Sequence, residues 1–356
     1  MAIIELKRES LRYNYKRLDL LFRRKKIKWA VVTKLLCGNE LFLKEVLKLK
    51  PKQICDSRIS NLRVIKRITP KIETIFIKPT PKRFIDSILT EADISFNTSI
   101  ETIKALSQKA AERDIVHKIV IMMELGELRE GVMRERFMDF YQEIFELKNI
   151  EIVGIGANLS CLYGVLPNAD KLIQLSLFKE LLELKFKKNI PLISGGSSVT
   201  LPLIFNKQLP KSINHFRIGE TLFFGTNVYD NKPVDLLKQD VFTLKAEIIE
   251  LIRKPIVPIG EMGTNVEGKT FDFDMEDSGK MTFRAILDIG ILDIDRNNIF
   301  PKDDYIEFFG ASSDMLIIDL KENPNNYRVG DYIEFDINYM GVLSLMNSNY
   351  IEKRVI

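Results

Sequence analysis

The sequence predicts an α/β chain, a (β/α)8 TIM-type barrel followed by a β-rich C-terminal domain, on three observations. Eight short apolar segments between Trp29 and Ile218 alternate with amphipathic helical stretches, the pattern of a parallel sheet covered on its outer side. None of these segments runs into a convincing GxGxxG turn, the feature that would favour the alternative, an open doubly wound sheet. After Asp235 the helical stretches thin out, and strand-like runs joined by Gly, Pro, Asn and Asp take over.

In chain order, an N-terminal strand candidate precedes a helix whose apolar stripe is Leu11, Tyr15, Leu18 and Leu21. The eight strand candidates are Trp29–Thr33, Gln53–Asp56, Thr74–Ile77, Ile94–Asn97, Lys118–Met123, Ile152–Ile155, Pro191–Ser194 and His215–Ile218. Between them lie helical stretches such as Leu41–Leu49, Ile59–Ile68, Phe84–Leu89 and Leu172–Phe186. Thr98 and Glu101 have capping-box spacing, so Thr98 is the expected N-cap of the helix after the fourth strand; Asn168 is the expected cap after the sixth. The later strands are Phe242–Ile252, Thr282–Ile289, Tyr305–Phe309, Met315–Leu320 and Tyr332–Ile337. The expected domains are residues 1–235, with the N-terminal strand free to pair with the β-rich part, and residues 236–356.

Composition narrows the function. The chain has 356 residues, nearly half of them hydrophobic, enough for two buried cores. Its 53 Lys and Arg against 49 Asp and Glu are spread along the chain, so basic runs such as Arg23–Lys26 read as solvated helix ends, and no nucleic-acid partner is expected. No stretch is long and apolar enough for a membrane span, and charge within the first few residues argues against a secretory segment. Three cysteines without a CxxC pair suit a reducing cytoplasm, and two histidines are too few to suggest an imidazole metal site.

In a barrel, chemistry belongs at the carboxyl ends of the strands. There the sequence places Lys34, Asp56-Ser57-Arg58, Asn97, Glu124 to Glu130, Asn158, Gly195-Gly196-Ser197-Ser198 and Arg217-Ile218-Gly219-Glu220. Lys34 directly follows WAVVT. An apolar strand end would desolvate it, lower its pKa and free its amine for Schiff-base chemistry; the bland reading is a snorkelling surface lysine. Lys78 competes from the end of the third strand, although Pro79 and Pro81 give it loop character. The two glycines before Ser197 and Ser198 would let the backbone approach an anion. Phosphate sites in such barrels often lie after strands seven and eight, so a lysine on the same face points to a phosphorylated carbonyl cofactor.

These motifs, in this order, resemble the alanine racemase family, and its ornithine racemase-like branch, over nearly the whole chain. The resemblance implies pyridoxal 5'-phosphate held by Lys34 in Val31-Val32-Thr33-Lys34. The family's D-x-G-x-x-R-x-G pattern resembles Glu124-Leu125-Gly126-Glu127-Leu128-Arg129-Glu130-Gly131, giving Arg129 to the cofactor's phenolic oxygen. Its R-x-G pattern matches Arg217-Ile218-Gly219, so Arg217 would face the pyridine nitrogen while Gly219 and Glu220 offer N–H groups to the phosphate. Ser198, beside Ser197, matches the phosphate-binding serine, and Gly154 to Asn158 resembles the segment whose histidine stacks on the cofactor. Gly310 to Asp314 and Val329-Gly330-Asp331 resemble motifs of the β-domain.

The resemblance further implies racemisation of an amino acid in a head-to-tail homodimer. An arginine beside the pyridine nitrogen disfavours its protonation, which suits proton exchange over elimination or transamination. Racemisation needs a base on each face of the α-carbon. Lys34 would serve one; the family's tyrosine for the other is replaced by Ile291 in Ile289-Gly290-Ile291-Leu292-Asp293. Asn158 stands for the assisting histidine, Met122 for a modified lysine, and Leu35 to Asn39 holds no match for the phosphate tyrosine. These departures set alanine aside, and the resemblance to the ornithine racemase-like branch implies a larger substrate such as ornithine or lysine. Cys161 is a candidate second base, its bland reading a small buried hydrophobe; Tyr339 is the rival. Ser313 and Asp314 are candidate substrate contacts, with Ser313 a weaker third base. The alternatives are a fold type III lyase or decarboxylase, a non-catalytic pyridoxal-phosphate carrier, and a binding domain that has lost its chemistry.

Overall fold

The computed structural model describes residues 1–230, 232–264, 268, 270 and 272–356. Contacts divide the chain into two units: Glu9–Gln239, and Met1–Arg8 together with Asp240–Ile356.

The first unit is a parallel barrel. Strands one to six are Lys28–Val32, Gln53–Asp56, Glu73–Phe76, Ile94–Asn97, His117–Met122 and Ile150–Gly156; strand eight is His215–Ile218. Strand seven is broken at Gly195 into Leu192–Ser194, which pairs with strand six, and Gly196–Ser197, which pairs with strand eight. Strand eight closes the ring against strand one, with Arg217 opposite Ala30. Residues two apart, such as Ala30 and Val32, Ile94 and Phe96, Val120 and Met122, share the inner core, as the period of a strand requires.

The glycines of strand seven are required by packing. A Cβ on Gly196 would lie 2.3 Å from the Phe216 ring, and one on Gly195 would crowd Ile213 and Leu172 at 3.1 Å. Bare backbone is what lets the chain change partner there without swelling the barrel.

Helices cover the outside, from Arg8–Lys25 to Ala169–Phe186 and beyond. Asn168 caps the latter by accepting from the Lys171 N–H at 2.9 Å. The other cap differs from expectation: Ser99, not Thr98, precedes the helix Ile100–Glu112 and makes no side-chain cap. Its hydroxyl donates instead to the Glu101 carboxylate at 2.7 Å, a charge-assisted bond.

In the second unit the strand Phe242–Pro255 is central. A register shift between Ile248 and Glu250 lets it pair antiparallel with Tyr332–Ile337 at one end and Met281–Leu287 at the other. Leu316–Asp319 and Glu307–Ala311 extend the sheet on one side, Ile299–Pro301 on the other. Ile3–Leu6 lies antiparallel to Phe242–Pro255 and parallel to Glu352–Val355. One helix, Tyr339–Asn347, stands among the strands where sequence gave no separate helix; Asn338 caps it by accepting from Gly341 N at 2.9 Å.

Candidate active site

The carboxyl ends of the barrel strands surround a cavity of about 430 Å³ whose lining includes Lys34, Lys78, Arg129, Asn158, Cys161 and Arg217. Strand one stops at Val32, and buried Thr33 fixes the exit by donating from Oγ1 to Asp56 Oδ2 at 2.8 Å. Asp56 is thus a buried anchor for the lysine's strand. Burial pushes its carboxyl up to about 6, against hydrogen bonds from Thr33, Arg58 N–H and Asn61.

Lys34 then opens a single helical turn in which Leu35 and Leu36 are buried. Those two leucines take the apolar space, so the Lys34 side chain is exposed at the cavity. The desolvation expected of it from sequence is absent. Lys78 carries that feature instead: partial burial, then the charges of Arg58 and Arg83, hold its pKa below the usual lysine range. Environment therefore singles out Lys78, and motif singles out Lys34.

Arg217 comes from the inner face of strand eight and is 6% exposed. Its Nη1 donates to Ser194 O at 2.7 Å and Ser194 Oγ at 2.5 Å, and its Nη2 to Ala157 O at 2.8 Å. Its guanidinium also lies 5.4 Å from the Phe96 ring centre. Rigid strand ends thus fix the guanidinium plane.

Arg129 is held differently. It forks onto the neighbouring Glu130 carboxylate, and Nη1 donates to Cys161 Sγ. Cys161 is exposed, so its reading as a buried hydrophobe does not hold. The loop that carries it is organised by Glu127. This carboxylate, 1% exposed, accepts from the backbone N–H groups of Ser160, Cys161, Leu162, Tyr163 and Val165 at 2.5–3.0 Å. Burial alone would raise its pKa, but the N–H groups, Leu162 and Cys161 foremost, outweigh burial and pull it down to about 2.

Beside strand eight, Ser198 Oγ accepts from Gly219 N at 3.4 Å and Thr221 N at 3.3 Å, both long for hydrogen bonds. Ser197 uses its side chain in a capping box with Thr200. Burial raises the pKa of Glu220, opposed by the charge of Lys34, so the two turns face each other. Buried polar atoms lack partners here among the described residues: Asn158 Nδ2 at the cavity and Thr221 Oγ1 beside Ser198. Lysines, arginines, an unpartnered amide N–H and loosely held backbone N–H groups form a donor set that suits an anionic, oxygen-rich group.

Ser313, Asp314 and Tyr339 belong to the β-rich unit. Ser313 and Asp314 are exposed in the turn between Glu307–Ala311 and Leu316–Asp319, and the Ser313 carbonyl accepts from Leu292 N at 2.8 Å. Half-exposed Ile291 stands in the adjoining loop. Tyr339 is the first residue of its helix.

Sequence reasoning assigned no role to Glu127 or Ser194. Alternation from Leu192 places Ser194 inward, a usable signal; the five N–H groups around Glu127 have no signature in side-chain letters.

The family model described as "Alanine racemase, N-terminal domain" matches residues 6–227. The chain is 37% identical to the ornithine racemase of Acetoanaerobium sticklandii over 330 residues, 92% of each chain. It is 32% identical to the lysine racemase of Thermotoga maritima over 331 residues, 93% of this chain and 91% of that one. Among solved structures, the alanine racemase of Clostridium difficile 630 superposes with a TM-score of 0.75 at 17% identity, over 100% of this chain and 95% of that one. The alanine racemase of Bartonella henselae with covalently bound pyridoxal phosphate gives 0.74 at 16%, over 100% and 99%. At such identities the structures speak for the fold.

Proposed function

The chain belongs to the alanine racemase family and is a pyridoxal-phosphate-dependent amino acid racemase; on that footing we propose that it interconverts the L and D forms of a larger, cationic amino acid, ornithine or lysine. The relatives named for those two substrates support the choice. The observation that carries the catalytic reading is that Lys34 and Arg217, from neighbouring strands one and eight, line a single cavity with an unpartnered Asn158 amide.

When bound, pyridoxal phosphate supplies an electron-accepting ring that acidifies the α-proton of an attached amino acid. In this reading Lys34 holds the cofactor covalently and, once released, moves the proton on one face through Nζ. Arg217 faces the ring nitrogen and, as a cation, disfavours a proton there. Ser198 with the Gly219 and Glu220 N–H groups holds the phosphate, with Ser197 giving the turn its shape; Arg129 and Asn158 contact the ring's oxygen side. For the second face Cys161 is the base within the barrel, its sulfur kept at the cavity wall by Arg129.

Lys34 is exposed in the single chain, and a barrel mouth open to water would lose its covalent adduct to hydrolysis. A head-to-tail homodimer supplies the cover: the partner's Ser313 and the partner's Asp314 contact substrate, and the partner's Tyr339 is the rival second base. A cytoplasmic setting fits the same reading, since Cys37, Cys55 and Cys161 are unpaired and no helix among the described residues is long and apolar enough to cross a membrane.

The test is chiral chromatography of ornithine, lysine and alanine incubated with protein and pyridoxal phosphate. Ornithine or lysine should racemise fastest; preference for alanine overturns the substrate assignment. Mixing Lys34→Ala with Tyr339→Phe/Asp314→Ala under subunit exchange should restore activity. If confirmed heterodimers stay inactive, the sites are not shared.

A further inference from the structure

Behind Arg217, polar side chains continue down the barrel axis to the amino ends of the strands. Ser194 Oγ, the acceptor for Arg217, lies 2.7 Å from His215 Nδ1. His215 Nε2 lies 3.1 Å from Gln53 Oε1, and Gln53 Nε2 donates to the Glu73 carboxylate. His215, Gln53 and Glu73 each open their strands, whereas Ser194 closes its own. Ser194 and His215 are fully buried, and Gln53 is 9% exposed. Gln53 and Glu73 line a separate cavity of about 260 Å³ with Trp29 and Lys28.

The ends of this chain determine its direction. A guanidinium can only donate and a carboxylate can only accept. Gln53 must turn its NH2 to Glu73, which leaves Oε1 to accept from His215 Nε2–H. Burial, then the charges of Arg217 and Lys28, push the His215 pKa down to about 3, so the imidazole is neutral and carries one N–H. Nδ1 is therefore an acceptor, filled by the Ser194 hydroxyl, and Ser194 presents a lone pair to Arg217. Every link points the same way, and aligned links polarise one another.

We propose that Ser194, His215, Gln53 and Glu73 form a one-directional relay that positions Arg217, with Glu73 at the opposite end of the barrel as its terminal acceptor. Ser194 can turn its hydroxyl proton away from the guanidinium only because His215 takes it. His215 takes it only because Gln53 and Glu73 hold the imidazole proton on Nε2. The catalytic consequence rests on the reading of Arg217 as the residue that faces the cofactor nitrogen; the relay itself does not.

The experiment combines nitrogen-15 NMR of the holoenzyme with a double-mutant cycle. The chain has two histidines, so the His215 signals are assigned by their change in Ser194→Ala. Wild type should show the Nε2–H tautomer, and Glu73→Gln, at a partly exposed position, should mix or reverse it. Glu73→Gln should lower kcat by roughly fivefold at unchanged KM, the scale of coupling within one hydrogen-bond network. That loss should vanish when Ser194 is already Ala. A wild-type His215 protonated on Nδ1, or a Glu73→Gln loss that simply adds to that of Ser194→Ala, overturns the relay. If no amino acid is racemised by any form, the functional reading fails, and the tautomer still decides the relay.

Discussion

Two arginines face the same cavity and are held in opposite ways. Arg217 is buried on a strand, tied to two backbone carbonyls and one hydroxyl, with only neutral acceptors around it. Arg129 is half-exposed on a loop, neutralised by Glu130, and reaches a thiol whose position depends on Glu127. A cation among neutral acceptors keeps its full charge for whatever it faces. One forked onto a carboxylate offers mainly shape. The barrel wall thus delivers charge at one side of the cavity and an adjustable contact at the other.

The largest effect expected is from Lys34→Ala, which removes the attachment point and a proton carrier together. Racemisation should fall by at least about 10³-fold, the scale of a lost acid–base group. Borohydride reduction followed by peptide mapping should find the cofactor on Lys34. A label on Lys78, whose pKa the surroundings lower, would reassign the site.

Next is Arg217→Glu. It strands the Ser194 and Ala157 carbonyls and reverses the charge, so racemisation should fall by roughly a hundredfold, about 2.7 kcal/mol of lost contacts. Transamination should rise relative to racemisation, because a carboxylate there favours a protonated ring nitrogen. An unchanged product ratio would remove Arg217 from that position.

Glu127→Gln tests the loop side. An amide replaces one acceptor oxygen by a donor amid converging N–H groups, and stability should drop by about 2 kcal/mol in chemical denaturation. The pH dependence has a definite sign. With its pKa depressed from the ordinary 4.5 to about 2, Glu127 stabilises the fold fully above pH 4.5, and that contribution is lost as pH falls towards 2. Wild type should lose this increment over that window and Glu127→Gln should not; parallel pH profiles would refute the assignment. The smallest effect is Arg129→Ala on stability, under about 1 kcal/mol for a half-exposed pair. A larger loss would mean that Arg129, like Arg217, is part of the scaffold.

How legible all this was depended on what kind of group does the holding. The barrel strands announced themselves because burial on both faces needs continuous apolar runs such as Trp29–Val32 and Ile119–Met122. Arg217 and Ser198 stood out because side chains carry letters. The exposure of Lys34 was not legible, since it follows from Leu35 and Leu36 filling the space beneath a turn. The nest around Glu127 was hidden because its donors are backbone N–H groups, identical in every residue but proline. The helix Tyr339–Asn347 left a cap signal at Asn338 and a short Val342, Leu345, Met346 stripe, too brief to separate from the strands around it.

The ladder formed by Ile3–Leu6 has a consequence for how the protein is made. Its two neighbours, Phe242–Pro255 and Glu352–Val355, leave the ribosome long after it does. The first strand must wait unpaired through the synthesis of the entire barrel, and the β-rich unit can close only after Glu352–Val355 has emerged. Such distant pairing slows folding and leaves an exposed edge in the nascent chain.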